Sequence, residues 1–126
     1  MGHSMTRQEK ITRLYEKLLG SEKVLFPATG YEFSAPSQKG VYIIYNENDE
    51  VVHAGCTPRA TYGIRQRLRN HLQGKSSFVG QFLRGNGALL RLGYGFRCLV
   101  LEDPCDRKYL EGLAIGKLCP KHIGKG

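Results

Sequence analysis

The order of sequence patterns predicts a small α+β domain with a sheet of about three strands and flanking helices. Segments 41–45 and 51–54 are rich in β-branched and aromatic residues, and the polar run 46–50 between them is typical of a hairpin turn. The near-continuous apolar run 96–101 has strand length and predicts a central strand with both faces covered. Helical patterns precede, separate and follow these strands.

The N-terminal helix is the most clearly marked element. Thr6 and Glu9 have the spacing of a capping box, and Gly20 ends the pattern. A stripe of apolar residues with helical spacing predicts that one face is buried. The stripe consists of Ile11, Leu14, Tyr15, Leu18 and Leu19.

The chain of 126 residues has room for one domain with a modest core. Residues 1–5 resemble a remnant of cloning, and we exclude them from the fold. The prolines, glycine and serines that follow the first helix predict a linker without regular structure. We therefore divide the chain into an N-terminal helix and linker, 6–37, and a main domain, 38–126.

Three further helices are predicted after the hairpin, over 62–73, 78–83 and 104–118. Thr61 is the expected cap of the first, and Asp103 is the expected cap of the last. The glycine-rich stretch between the second and third predicts an irregular, mobile turn.

The formal net charge of +8 favours a polyanionic partner, because each phosphate that a lysine or arginine neutralises releases a counterion. Small basic domains without such a partner are also common, so charge alone does not decide. No apolar run approaches the ~18 residues of a membrane span, and no secretory leader is present. We therefore expect a cytoplasmic protein that does not bind membranes.

The four cysteines lie at wide, irregular intervals without a Cys-x-x-Cys pair. This spacing favours reduced thiols. A metal site that begins with His53 and Cys56 is a less favoured alternative, since its other ligands would come from scattered positions.

Two triplets, Gly40-Val41-Tyr42 and His53-Ala54-Gly55, lie ten residues apart on the two strands of the predicted hairpin. Antiparallel pairing places residues near the open ends of both strands side by side. We therefore expect Tyr42 and His53 to bring two proton-transfer groups to one cleft.

The helix over 62–73 carries a buried stripe of Ile64, Leu68 and Leu72 with two basic pairs on its flanks. Arg67 and His71 form one pair, and Arg65 and Arg69 form the other. An arginine beside a histidine could clamp a phosphate while the imidazole orients a neighbouring oxygen. The alternative is a solvated basic face.

The last helix places Glu111 on a face with apolar residues. A buried carboxylate needs a compensating cation, which could be Arg107 four residues earlier, another arginine or a metal ion. An ordinary helix ion pair with Arg107 is the structural alternative.

Three features are now in place: the paired triplets, the segment 67–71, and Glu111 in a helix after an apolar strand. Together they resemble the GIY-YIG nuclease domain over 38–122. The resemblance implies a small three-stranded antiparallel sheet flanked by helices, to which this chain adds an N-terminal helix. It also implies an endonuclease that cuts phosphodiester bonds of DNA with one divalent metal ion, Mg²⁺ or Mn²⁺.

By this resemblance, Tyr42 would activate the attacking water, and Arg67 would stabilise the negative charge of the phosphorane. Glu111 would bind the metal. His71 matches a histidine that some members place near the first tyrosine. We expect further contacts with nucleic acid from four basic residues, Lys39, Arg65, Arg69 and Lys75.

The chain departs from the family pattern at two places. His53 stands where the second motif usually has tyrosine, and our hypothesis is that it substitutes for or assists the tyrosine pair. Such a histidine would give the rate an apparent pKa of about 6 to 7. The asparagine that often follows a proline after the catalytic helix is absent after Pro120, which leaves the anchoring of the last segment open.

Three function classes remain after these observations. The first is a metal-dependent endonuclease, and the second is a catalytically degenerate nucleic-acid-binding module on the same scaffold. The third is an interaction domain whose basic surface meets an acidic protein. The sequence predicts neither the preferred DNA structure nor the oligomeric state.

Overall fold

The computed structural model of the chain describes residues 4–58 and 62–123. These residues form an α+β fold with a fully antiparallel sheet, as predicted, but the sheet has four strands instead of three. The strand order is β1-β4-β2-β3. The elements are α1 (Arg7–Gly20), β1 (Val24–Leu25), β2 (Gly40–Tyr45), β3 (Val51–Cys56), α2 (Ile64–Leu72), α3 (Ser77–Phe82), a 3₁₀ helix (Gly87–Arg91), β4 (Gly95–Val100) and α4 (Pro104–Leu118).

The fourth strand, β1, lies in the segment that was predicted to be a linker, so that prediction is wrong there. Val24 pairs with Phe96 of β4, and Phe26, directly after the strand, is 4% exposed with its ring 5.2 Å from that of Phe96. A strand of two residues is too short to show the alternation by which strands are recognised. The prediction of a linker therefore rested on the prolines and the glycine that follow this strand.

The three predicted strands are present, and β4 lies inside the sheet between β1 and β2. In the hairpin of β2 and β3, Tyr42 pairs with Gly55 and Ile44 pairs with His53. Paired residues of antiparallel strands share one face of the sheet. The two triplets are therefore neighbours on the same face, as predicted.

The sheet separates two apolar layers. One face, with Tyr42 and Ile44, is covered by α2, α3 and the 3₁₀ helix. The other face, with Val41 and Ile43, is covered by α1 and α4. Alternate residues of β2 thus enter different layers, and all of them except Tyr45 at its end are buried because β2 is an interior strand.

The helix boundaries agree with most of the cap predictions. The capping box of Thr6 and Glu9 is present, and Asp103 caps α4 by accepting from two backbone amides. Helix α2 begins at Ile64, two residues later than predicted, and the expected cap Thr61 lies outside the described residues. The glycine-rich stretch contains the 3₁₀ helix, capped by the Asn86 side chain, so the prediction of an irregular turn is wrong.

A buried acidic residue holds α1 against α4. Asp106 is 1% exposed, and its carboxylate accepts hydrogen bonds from Arg7 Nε at 3.0 Å and from Lys10 Nζ at 2.7 Å. Both cations are about half exposed, so they are solvated when the carboxylate is removed. The Lys10 hydrogen bond, followed by that from Arg7, lowers the pKa of Asp106.

We expect Asp106→Ala to lower the free energy of unfolding by about 1.5–3 kcal/mol, since it removes two hydrogen bonds between charged groups. Urea unfolding at pH 7 measures this change. Glu16→Ala, at an exposed position of α1, is the matched control and should change the value by less than about 0.5 kcal/mol. Equal losses in the two variants would contradict the role of this buried carboxylate.

Candidate active site

Three polar side chains meet at the hydroxyl group of Tyr42. Tyr42 Oη lies 2.9 Å from His71 Nε2 and accepts a hydrogen bond from Arg67 Nε at 3.3 Å. Tyr42 comes from β2, and the other two residues come from consecutive turns of α2. Of the two basic pairs that the sequence left open, Arg67 and His71 are therefore the pair that faces the sheet.

Gly55 provides the space for this hydroxyl group. A Cβ atom at Gly55 would lie 2.6 Å from Tyr42 Oη and 3.1 Å from His53 Nε2. The tyrosine ring therefore occupies the volume that any side chain at this position of β3 would need. This close approach explains why the second triplet ends in glycine.

The proton positions at Tyr42 depend on His71, which is fully buried. His71 Nδ1 lies 2.6 Å from Ser76 Oγ, which also caps α3 by accepting from Val79 N. Burial, followed by the nearby His53 and Arg67, lowers the pKa of His71 well below its ordinary value, so the ring is neutral at pH 7.

Two proton arrangements satisfy these contacts. In one, Tyr42 donates to His71 Nε2, and Nδ1–H donates to Ser76. In the other, Ser76 donates to Nδ1, and Nε2–H donates to the tyrosine oxygen. The second arrangement surrounds that oxygen with two donors, from Arg67 and His71, which favours the phenolate. Burial opposes ionisation and raises the pKa of Tyr42 to about 12.

His53 lies in the same cluster but is not an exposed base. Its ring is 7% exposed and stacks on Phe78 at a centroid distance of 4.6 Å. Burial, followed by the positive potential of His122 and Arg67, lowers the pKa of His53 to about 3. This lowered pKa replaces the apparent pKa of about 6 to 7 that we expected His53 to give the rate from histidine's ordinary value. The sequence did not reveal that the ring is buried.

The segment after α4 is anchored although it lacks the asparagine. Lys121 N donates to Val51 O at 3.3 Å, and His122 N donates to Val52 O at 2.9 Å. The His122 ring is 8% exposed, with Nδ1 3.2 Å from His53 Nδ1. The segment therefore follows β3 and brings a third histidine to the cluster.

Glu111 lies beside a different part of the sheet. Its carboxylate is 21% exposed in a cleft of about 640 Å³, and its ion pair is with Lys108 at 3.6 Å. Arg107 instead donates to the carbonyl oxygens of Leu101 and Glu102, so the ion pair with Arg107, one of the alternatives that the sequence left open, is not formed. The reason is that the chain turns into α4 at Glu102 and offers these carbonyl groups to the buried guanidinium.

Glu111 and the Tyr42 cluster approach the sheet from opposite faces. Glu111 neighbours Cys56, whose pKa is raised to about 11 by burial and by the glutamate's charge. Cys56 pairs with Val41, one position along from the pair of Tyr42 and Gly55. The two groups of residues are thus adjacent at the end of the edge strand β3. Among the described residues, Glu111 makes no hydrogen bond to Arg67 or to Tyr42.

The other basic residues predicted to bind nucleic acid have different surroundings. Arg65 Nε donates to Ala35 O at 2.9 Å, and Arg69 Nε donates to Tyr31 O at 3.1 Å. Both therefore tie α2 to the segment before β2. Lys75 is exposed, and Lys39 is partly exposed at the start of β2.

Sequence reasoning missed three residues of the cluster. Ser76 carried only a helix-cap signal, and His122 carried only its position after Pro120. The third, Tyr62, lies just before α2 and, after Tyr42, contributes to raising the pKa of Arg67. Ser76 and Tyr62 lie five residues from His71 and Arg67, but no sequence pattern marks such pairs, and the contact of His122 with His53 depends on how distant segments pack.

Within residues 4–58 and 62–123, no group of three or more histidine, cysteine, aspartate or glutamate residues is arranged to hold a metal ion. In the same residues, no helix is long and apolar enough to span a bilayer. No protein-family model matches the chain, and it has no significant match among curated proteins.

Proposed function

We propose that the protein is a divalent-metal-dependent endonuclease that hydrolyses phosphodiester bonds in DNA. The observation that supports this most directly is the convergence of Arg67 and His71 on the hydroxyl group of Tyr42. This is the set of residues that the resemblance to the GIY-YIG nuclease domain assigns to the reaction. The net charge of +8 is consistent with a phosphate-bearing substrate.

Arg67 is the residue that binds the scissile phosphate in this proposal. A guanidinium group has five N–H donors, and Tyr42 occupies the one at Nε. Arg67 is partly exposed, so its terminal nitrogens can form paired hydrogen bonds with phosphate oxygens. A fixed guanidinium stabilises the charge that develops there as the bond breaks.

Tyr42 holds Arg67 and moves protons through His71. The tyrosine is fully buried, and its raised pKa keeps the hydroxyl protonated at pH 7. The hydrogen-bonded series from Tyr42 through His71 to Ser76 gives a proton an internal path. Because His71 does not hold a second proton at pH 7, water activation by Tyr42 requires that the tyrosine passes its own proton to His71 Nε2 while His71 Nδ1–H passes to Ser76 and the Ser76 hydroxyl releases a proton to solvent.

Glu111 would hold the metal ion. Its carboxylate borders an open cleft, and the ammonium of Lys108 that pairs with it is 77% exposed and free to move away. Mg²⁺ keeps most of its water ligands and is commonly held by one or two carboxylates, so a single glutamate fits. When bound, the ion would offset negative charge on the phosphate.

The second candidate function is a non-catalytic nucleic-acid-binding module on the same scaffold. The separation of Glu111 from the Tyr42 cluster favours it, because a metal at Glu111 would have to act around the edge of β3. The buried, neutral His53 in place of an exposed tyrosine favours it as well.

Nicking of supercoiled plasmid with Mg²⁺ at pH 7.5 separates these two candidates. We expect nicking by the wild type that stops with EDTA and falls at least about 100-fold in Glu111→Gln, which keeps the shape but removes the charge. Glu16→Gln, at an exposed site on α1, is the matched control and should nick normally.

Binding of DNA without nicking by either protein would support the module. Nicking that is unchanged in Glu111→Gln would remove Glu111 as the metal ligand.

A further inference from the structure

Three side chains from separate elements form a hydrogen-bonded series beside β3. Gln81 Oε1 of α3 lies 2.8 Å from His122 Nε2, and His122 Nδ1 lies 3.2 Å from His53 Nδ1. Both histidines are more than 90% buried. The series therefore fixes two imidazole rings in one orientation.

The chemistry of the three groups determines where their protons lie. An amide oxygen only accepts, so His122 Nε2 must carry the hydrogen. Burial lowers the pKa of both rings, so each is neutral and carries one N–H. His122 Nδ1 is then a bare acceptor, and the donor facing it must be His53 Nδ1–H. His53 Nε2 is left with its lone pair.

This bare nitrogen lies next to the Tyr42 cluster. His53 Nε2 and Tyr42 Oη both lie about 3 Å from the position that a Cβ atom of Gly55 would take. His53 Nε2 has no hydrogen bond, whereas no fully buried side-chain nitrogen or oxygen among the described residues lacks one. The atom is therefore not fully enclosed, and its lone pair can take a water molecule as its hydrogen-bond partner.

We propose that Gln81 and His122 are positioning residues that fix His53 as the Nδ1–H tautomer, so that its Nε2 accepts a hydrogen bond from a water molecule beside Tyr42. The tautomer follows from these contacts with the Gln81 amide oxygen facing His122, whereas the use of that water as the nucleophile rests on the proposed function. A lone pair held in one direction orients a water without taking its proton.

The opposite orientation of the Gln81 amide gives the opposite result. Its NH₂ group would donate to His122 Nε2, His122 Nδ1–H would donate to His53 Nδ1, and His53 Nε2 would carry a hydrogen. Nε2 would then be a donor and could not accept from water. The two orientations of the Gln81 amide therefore place the hydrogen on different nitrogens of the His53 ring.

Long-range ¹H–¹⁵N NMR of the ¹⁵N-histidine-labelled protein, at pH 7.5 without metal or DNA, distinguishes them. We expect His53 in the Nδ1–H form and His122 in the Nε2–H form, both neutral. A His53 ring in the Nε2–H form, or a charged ring at either position, would overturn the proposal. This measurement does not depend on any enzymatic activity.

A second experiment tests the positioning role in the plasmid-nicking assay. We expect Gln81→Leu to lower the rate about tenfold or more and to mix the two tautomers of His122. Gln73→Leu, at an exposed position after α2, is the matched control. An unchanged rate in Gln81→Leu would overturn the positioning role.

A wild type that does not nick at all would contradict the proposed function, and the NMR result would still decide the tautomer.

Discussion

Replacing Arg67 with alanine is expected to lower metal-dependent nicking by at least about 100-fold, the effect of removing one fixed donor from a charge-stabilising site. Arg67 donates to Tyr42 through Nε and keeps its terminal nitrogens for a phosphate. The substitution also leaves the Tyr42 oxygen without one of its two partners. We therefore expect the loss in the rate of cleavage, with DNA affinity changed only a few-fold.

Arg65→Ala and Arg69→Ala are the matched controls, since these residues carry the same charge on the same helix. Their Nε atoms donate to backbone carbonyl oxygens away from Tyr42, so each change should mainly weaken binding and reduce its salt dependence. Arg67→Lys should remain impaired, because lysine keeps the charge and loses the planar pair of donors. Equal losses in all three alanine variants would indicate non-specific attraction and favour the binding module.

Most of the secondary structure could be predicted because its signals are local. The capping box of α1, the polar turn of the hairpin and the proline at the start of α4 each involve residues within one turn of each other. Strand β1 was not predicted because two residues are too few to show the alternation of a strand. Its stability comes from pairing with β4, about 70 residues later.

The candidate site was predictable only in part. Helical spacing placed Arg67 and His71 on one flank of α2, but the position of Tyr42 was needed to choose that flank over the one with Arg65 and Arg69. The sequence could not show that His53 is buried or that His122, 69 residues away, contacts it. Such contacts depend on the packing of distant segments.

The fold is expected to lose stability steeply between pH 6.5 and pH 4.5. Burial holds the pKa of His53 at about 3 and that of His71 well below its ordinary value, whereas both take up a proton near pH 6.5 in the unfolded chain. The unfolded state therefore binds more protons in this range, and stability falls as the pH falls. Each histidine contributes at most about 1.4 kcal/mol per pH unit, so the loss for the pair over this range is at most about 5 kcal/mol.

Urea unfolding at half-unit pH steps measures this loss, which is comparable to the total stability of many small domains. His53→Gln and His71→Gln should each reduce the slope by at most about 1.4 kcal/mol per pH unit, whatever they do to stability at pH 7.5. The carboxylates of Glu50 and Asp106 have lowered pKa values and so contribute only below this range. Stability that stays constant down to pH 4.5 would show that these rings are solvated and take up protons as freely as in the unfolded chain.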